Sequence, residues 1–106
     1  MTGKDTYWES SKGKITLLEL LEYTSKETIM DAKVFEALLL KVDRKEERIS
    51  NADLSYPIIV TVDGGEYKHV LDGQHRIIKA IRGNKTVKVR FLDFNTIPLK
   101  IMDIFS

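Results

Sequence analysis

Residues 72–76 read Asp-Gly-Gln-His-Arg, and these side chains are the ones in this chain best suited to chemistry. Arg76 offers a planar fork of donors that can hold a phosphate with two bonds. His75 carries an imidazole, a group that can donate a bond or move a proton. Asp72 can cap a helix, accept a bond from Arg76, or bind a metal that accompanies a nucleotide. Gly73 removes a side chain that would block the close approach of an anion. The first N–H groups of a helix lack partners within it, and the aligned peptide dipoles make that end positive. A strand ending at Leu71-Asp72-Gly73 and opening directly into a helix at Gln74 therefore aims backbone donors at an anion. Lys79 and Arg82 follow Arg76 at steps of three and share its polar face, where they would extend the field. A plainer account fits the same residues. Asp-Gly is a common cap and turn, a single His is often structural, and helix-face Arg and Lys are usually solvated.

The elements that must position this turn are read from periodicity. Ile58 to Val62 is rich in β-branched residues and reads as a strand. Asp63-Gly64-Gly65 is a hairpin signal, because these residues tolerate the positive φ of tight turns. Tyr67 to Leu71 is the returning strand, and Gln74 to Arg82 a helix with Ile77, Ile78 and Ile81 inward. Gly83-Asn84 ends that helix, with Gly83 expected in the left-handed position. From Thr86 to Phe91 the pattern alternates strictly, which predicts a strand with Val87, Val89 and Phe91 buried and Lys88 and Arg90 on a wet face.

Upstream, Thr16-Leu17-Leu18-Glu19 is a capping box that opens a helix running to about Tyr23. Ile15 could end a short strand. Val34, Phe35, Leu38, Leu39 and Val42 recur at helical period, with Asp31 near the helix start. The mixed charge run Asp43 to Arg48 reads as the solvated end of that helix and a loop. Residues 1–14 are expected to be a loose polar arm, with Trp8 as its anchor, and 15–106 the domain. After Asn95 an apolar tail is expected to pack as helix or strand, or to serve as a partner surface, including one for a homodimer.

At 106 residues, with 42% hydrophobic and 31% charged residues, the chain is expected to fold as one modest globular domain. The absence of cysteine excludes a disulfide framework, a thiolate nucleophile and cysteine metal sites. No apolar run reaches the length of a membrane span and the first residues are polar, so a cytoplasmic protein without membrane contact is expected. Net charge is +1, yet between Lys68 and Arg90 seven Lys/Arg face a single acid, Asp72. Such a local field attracts anions, including nucleic acid through Lys68, Lys79, Arg82, Lys85, Lys88 and Arg90. Nothing matches a Walker loop, a zinc-ligand spacing or a Ser/His/Asp motif, and no protein metal ligands are expected.

Tyr56-Pro57-Ile58-Ile59-Val60, the hairpin, Tyr67 to Leu71, Asp72-Gly73-Gln74-His75-Arg76-Ile77-Ile78-Lys79-Ala80, a Gly and a Val-rich strand resemble the ParB/sulfiredoxin superfamily over about residues 15–94. The resemblance implies an α/β (α+β) fold, a small mixed sheet flanked by helices, with a nucleotide phosphate held by the turn. ParB proteins bind CTP with a Gly-Glu-Arg-Arg turn. Sulfiredoxins use a Gly-Cys-His-Arg turn in ATP-dependent repair, and free-serine kinases an Asp-Gly-x-His-Arg turn. Gln74 stands where sulfiredoxins carry their essential cysteine, which removes that activity, and the chain has no room for a ParB DNA reader. The implied ligand is ATP or another nucleotide, with Mg2+ where the phosphates bring it. The implied contacts are Gly73, Gln74, His75, Arg76 and Lys79. Catalytic candidates are His75, Asp72 and an N-terminal carboxylate, which could be Glu19, Glu22 or Asp31. Phosphotransfer or nucleotide hydrolysis is one outcome. A non-enzymatic nucleic-acid- or protein-binding regulator, of the kind phages and mobile elements encode, and a ParB-like nuclease are the others.

Overall fold

The computed structural model describes residues 6–39 and 44–105. It is an α+β fold: a four-stranded mixed sheet and a two-stranded sheet, flanked by helices. Strands β1 (Tyr7–Ser10) and β2 (Gly13–Thr16) form a hairpin, followed by α1 (Leu17–Leu21). Then come β3 (Thr28–Asp31), a 3₁₀ helix (Ala32–Leu39) and α2 (Glu46–Asn51). The second half runs β4 (Ile58–Asp63), β5 (Glu66–Asp72), α3 (Gln74–Arg82), β6 (Thr86–Asp93) and α4 (Leu99–Phe105). The large sheet is ordered β3-β6-β4-β5; β4 and β6 are parallel, and the other pairs antiparallel. Among the described residues no helix is long and apolar enough to cross a membrane.

Alternation along β4 divides the interior in two. Ile58 and Val60 point into one core, with Phe35, Val70, Ile77, Ile78, Val87 and Val89. Ile59 points the other way, into a second core with Ile15, Leu20, Leu92, Ile101 and Ile104. The expectation that one face of β6 would be wet therefore fails. Leu92 is fully buried on that side, because the hairpin, α1 and α4 cover it. Buried Thr61 fills a gap in the β4–β5 ladder, where the register shifts between Val60 and Val62. Its Oγ1 accepts the His69 N–H at 2.9 Å, so the irregularity leaves no orphaned donor there.

Several local expectations hold. Thr16 caps α1 in a full capping box with Glu19, and Gly64 and Gly65 take φ of +60° and +81° in the β4–β5 turn. Others change. The arm expected over residues 1–14 is not loose from Tyr7 onward: residues 7–16 form the β1–β2 hairpin, with Trp8 against Phe105 at 5.9 Å between ring centroids, and residues 1–5 lie outside the described residues. The strand β3 has no signal in the sequence: it is short and leaves Ile29 69% exposed, so it carries almost no burial pattern. The stripe Val34/Phe35/Leu38/Leu39 lies in a 3₁₀ helix, whose three-residue turn aligns Ala32, Phe35 and Leu38. Val42 and Asp43 lie outside the described residues. Part of the charge run is the helix α2, with Glu46 and Glu47 in its first turn and Arg48 later, the order its dipole favours.

The end of α3 also differs. Gly83 has φ −90°, and Asn84 is the left-handed residue at φ +54°. The Asn84 N–H donates to the Ile81 carbonyl and the Lys85 N–H to the Ala80 carbonyl, which closes a Schellman motif around Asn84. Asn84→Val is therefore expected to cost about 1–2 kcal/mol, because a β-branched residue is strained there, whereas Asn84→Gly is neutral or slightly stabilising. Urea denaturation of the two variants checks this.

Candidate functional site

The Asp72–Arg76 turn lies where the end of β5 meets the start of α3, beside the start of β4. Gly73 is the N-cap of α3, at φ +98° and with no side-chain cap bond. A Cβ there would stand 2.5 Å from Ile58 Cγ2 and 2.9 Å from Ile58 Cβ. The glycine is thus required by backbone conformation and by packing. The space its hydrogen leaves is filled by Ile58, which corrects the expectation that it opens a path for an anion. The first intrahelical bond runs from the Ile77 N–H to the Gly73 carbonyl at 3.1 Å. The amides of Gln74 and Arg76 precede it and belong to the positive end of the helix.

Arg76 is half-committed. Its Nη1 donates to the Pro57 carbonyl at 3.0 Å and stands 3.4 Å from Asp72 Oδ2. Both side chains are about three-quarters buried, which favours this pair over an exposed one. The guanidinium lies 5.7 Å from the centroid of the Tyr56 ring. Among the described residues its bonds go through Nη1 alone, leaving Nη2 and Nε for a ligand.

Two adjoining lobes open onto this turn. Arg48, Tyr56, Asp72, His75 and Arg76 line both. The apolar lobe, about 370 Å³, adds Leu17, Leu21, Pro57 and Ile59. The polar lobe, about 660 Å³, adds Gly73, Gln74 and the α2 side, including Asn51 and Asp53. Both volumes fall in the range of small-molecule sites. The Asp53 carboxyl is held below its usual pKa by bonds from the Ser55 hydroxyl and amide, with Arg76 and Lys79 adding attraction. It is ionised at neutral pH, so the polar lobe carries mixed charge rather than a simple positive field.

Of the residues singled out from sequence, Asp72, Gly73, His75 and Arg76 come together. Gln74 lines the cleft, but its Nε2 is turned back onto the Val70 carbonyl at 2.9 Å. Lys79 is elsewhere: one turn farther along α3, its Nζ donates to the Ser50 and Ala52 carbonyls at 2.9 and 2.7 Å. It thereby caps the negative end of α2. Arg82 grips both carboxylate oxygens of Glu46 and holds that carboxyl below its ordinary pKa. These two cations fix α2 against α3, and neither lines the cleft. Glu19 is also elsewhere, since its Oε1 serves the capping box while Leu17 and Leu21, on the other side of α1, face the cleft. Glu22 lines a separate pocket with Glu19, and Asp31 is exposed on β3, accepting from the Lys33 amide. The basic segment does not gather: Lys68 pairs with Glu66, and Arg90 Nε donates to Thr24 Oγ1.

Arg48 was not singled out, because the charge run gave no hint that α2 would stand over the turn. The signal was there only in Ile49, which is the single buried anchor of α2. Compared with protein-family models, curated proteins and solved structures, the chain matches none.

Gly73→Ala is expected to lower stability by about 2–4 kcal/mol, the sum of a strained φ and an overpacked contact with Ile58. Equilibrium urea denaturation measures it; a loss under about 0.5 kcal/mol would show that the turn relaxes freely.

Proposed function

We propose that this chain is a nucleotide-binding domain of the ParB/sulfiredoxin kind, with the phosphates at the Asp72–Arg76 turn and the base in the apolar lobe. The two-lobed cleft supports this reading most directly. Its polar lobe joins the start of a nine-residue helix to two guanidinium groups, Arg76 and Arg48. Its apolar lobe offers Leu17, Leu21 and Ile59 beside the exposed ring of Tyr56. A nucleotide has the same division: an anionic end that suits backbone amides and guanidinium, and a flat face that suits apolar and aromatic surface.

His75 lines both lobes beside the turn. Phosphoryl transfer would in addition need a base; of the carboxylates that line the polar lobe, Asp72 and Asp53 already accept bonds from Arg76 and Ser55, and Glu47 is exposed on the first turn of α2. The function supported best is therefore binding. Among the described residues no group of three His, Asp or Glu side chains is placed to hold a metal ion. Magnesium enters this reading only as the nucleotide's own counter-ion. The same observation leaves the nuclease alternative without a ligand set among those residues, and the scattered cations give the nucleic-acid alternative little support.

Isothermal titration with ATP, ADP and CTP, each with and without magnesium, tests the reading; absence of heat with all three at millimolar concentration would sink it. Among the described residues Arg48 makes no hydrogen bond or ion pair through its side chain, so Arg48→Ala is expected to leave the melting temperature unchanged. It should weaken the nucleotide about tenfold, the worth of one charge-assisted bond to phosphate.

A further inference from the structure

The sheet has a second opening at the end away from the turn. β4 starts beside the turn at Ile58 and ends at Asp63, and the parallel β6 brings Asp93 level with Val62. There a cavity of about 510 Å³ is lined by the rings of Tyr23, Tyr67 and Phe91 and by one charged side chain, Asp93. The rings are held in place. Tyr67 stacks on Phe91 with centroids 5.5 Å apart and planes 10° from parallel, and it meets Phe35 at 5.3 Å. The Ser25 N–H donates to the Phe91 carbonyl, and the Phe91 N–H donates to Ser25 Oγ.

The threonine and serine hydroxyls in the wall are spent inside the protein. Thr24 Oγ1 donates to the Leu21 carbonyl at 2.7 Å and accepts from Arg90 Nε. Ser25 Oγ donates to the Lys26 carbonyl, and Thr96 Oγ1 to the Asp93 carbonyl. Asp93 Oδ1 accepts the Asn95 N–H at 2.9 Å, and among the described residues Oδ2 has no donor. A ligand therefore meets aromatic ring surface, the phenol hydroxyls of Tyr23 and Tyr67, and one anionic oxygen, the only formal charge in the lining. An anion would be repelled, and a neutral apolar ligand would cover the carboxylate without pairing it. An organic cation satisfies both features, because its N–H groups reach Oδ2 while its body lies on the rings.

We propose that this cavity binds a small organic ammonium compound with an aromatic or aliphatic body, paired to Asp93 and packed on Tyr23, Tyr67 and Phe91. The site is independent of the nucleotide reading. The test is an NMR titration of the ¹⁵N-labelled chain with phenethylammonium and with its neutral near-isostere 2-phenylethanol. The amine should shift the amides of Ser25, Phe91, Asp93 and Thr96, and bind roughly fivefold or more tightly than the alcohol. Asp93→Asn keeps an acceptor for the Asn95 N–H, and it should erase that preference while leaving the rest of the spectrum in place. Equal affinity for amine and alcohol, a preference that survives Asp93→Asn, or no localised shift at millimolar ligand would each overturn the proposal.

Discussion

The contact between Gly73 and Ile58 decides where α3 can begin. Ile58 is the first residue of β4 and is fully buried, so it cannot retreat. Only a residue without a Cβ, and able to hold φ +98°, can pass over it. One residue upstream, the Pro57 carbonyl takes the Arg76 guanidinium, so strand start and helix start are tied twice. The direction of α3 then places Lys79 and Arg82 opposite α2, where they bind its last carbonyls and its first-turn carboxylate. This brings Arg48 over the turn. The geometry of the cleft thus follows from one glycine packed on one isoleucine, with each later step a polar tie of ordinary strength.

This chain of dependence explains what could be read from the sequence. The β4–β5 hairpin and α3 were legible because their signals are local: two glycines with positive φ, and isoleucines at 77, 78 and 81. Asp72, His75 and Arg76 were legible as a cluster for the same reason, since three side chains on one turn need no tertiary information to be neighbours. Lys79 and Glu19 were not, because side-chain direction depends on what else offers a partner. The lysine found the open carbonyls of α2, and the glutamate found its own N-cap. Arg48 reaches the site through α2, a helix with so few apolar residues that its pattern resembles a loop.

The second core shows a different limit. Lys88 and Arg90 alternate with valines in β6, and such a pattern ordinarily marks a wet face. Here long side chains lie along a covered surface, half-buried, while Leu92 and Ile59 fill the same side farther along. Alternation reports the polarity of side-chain tips, and it misses apolar stems lying on a neighbouring layer. The polar look of residues 7–14 hid a hairpin for a related reason. Only Trp8 and Ile15 enter the interior, and they do so against residues nearly a chain length away.

That distance has a consequence for how the protein is made. Core one joins elements from residue 30 to residue 91, whereas core two needs Ile15 and Leu20 to meet Ile97, Ile101 and Ile104. During synthesis the early hairpin must wait, its tryptophan uncovered, until the ribosome has released the segment ending near Phe105. Closing so long a loop is slow relative to local pairing. Core two therefore closes only when segments from the two ends of the described chain are both free to meet.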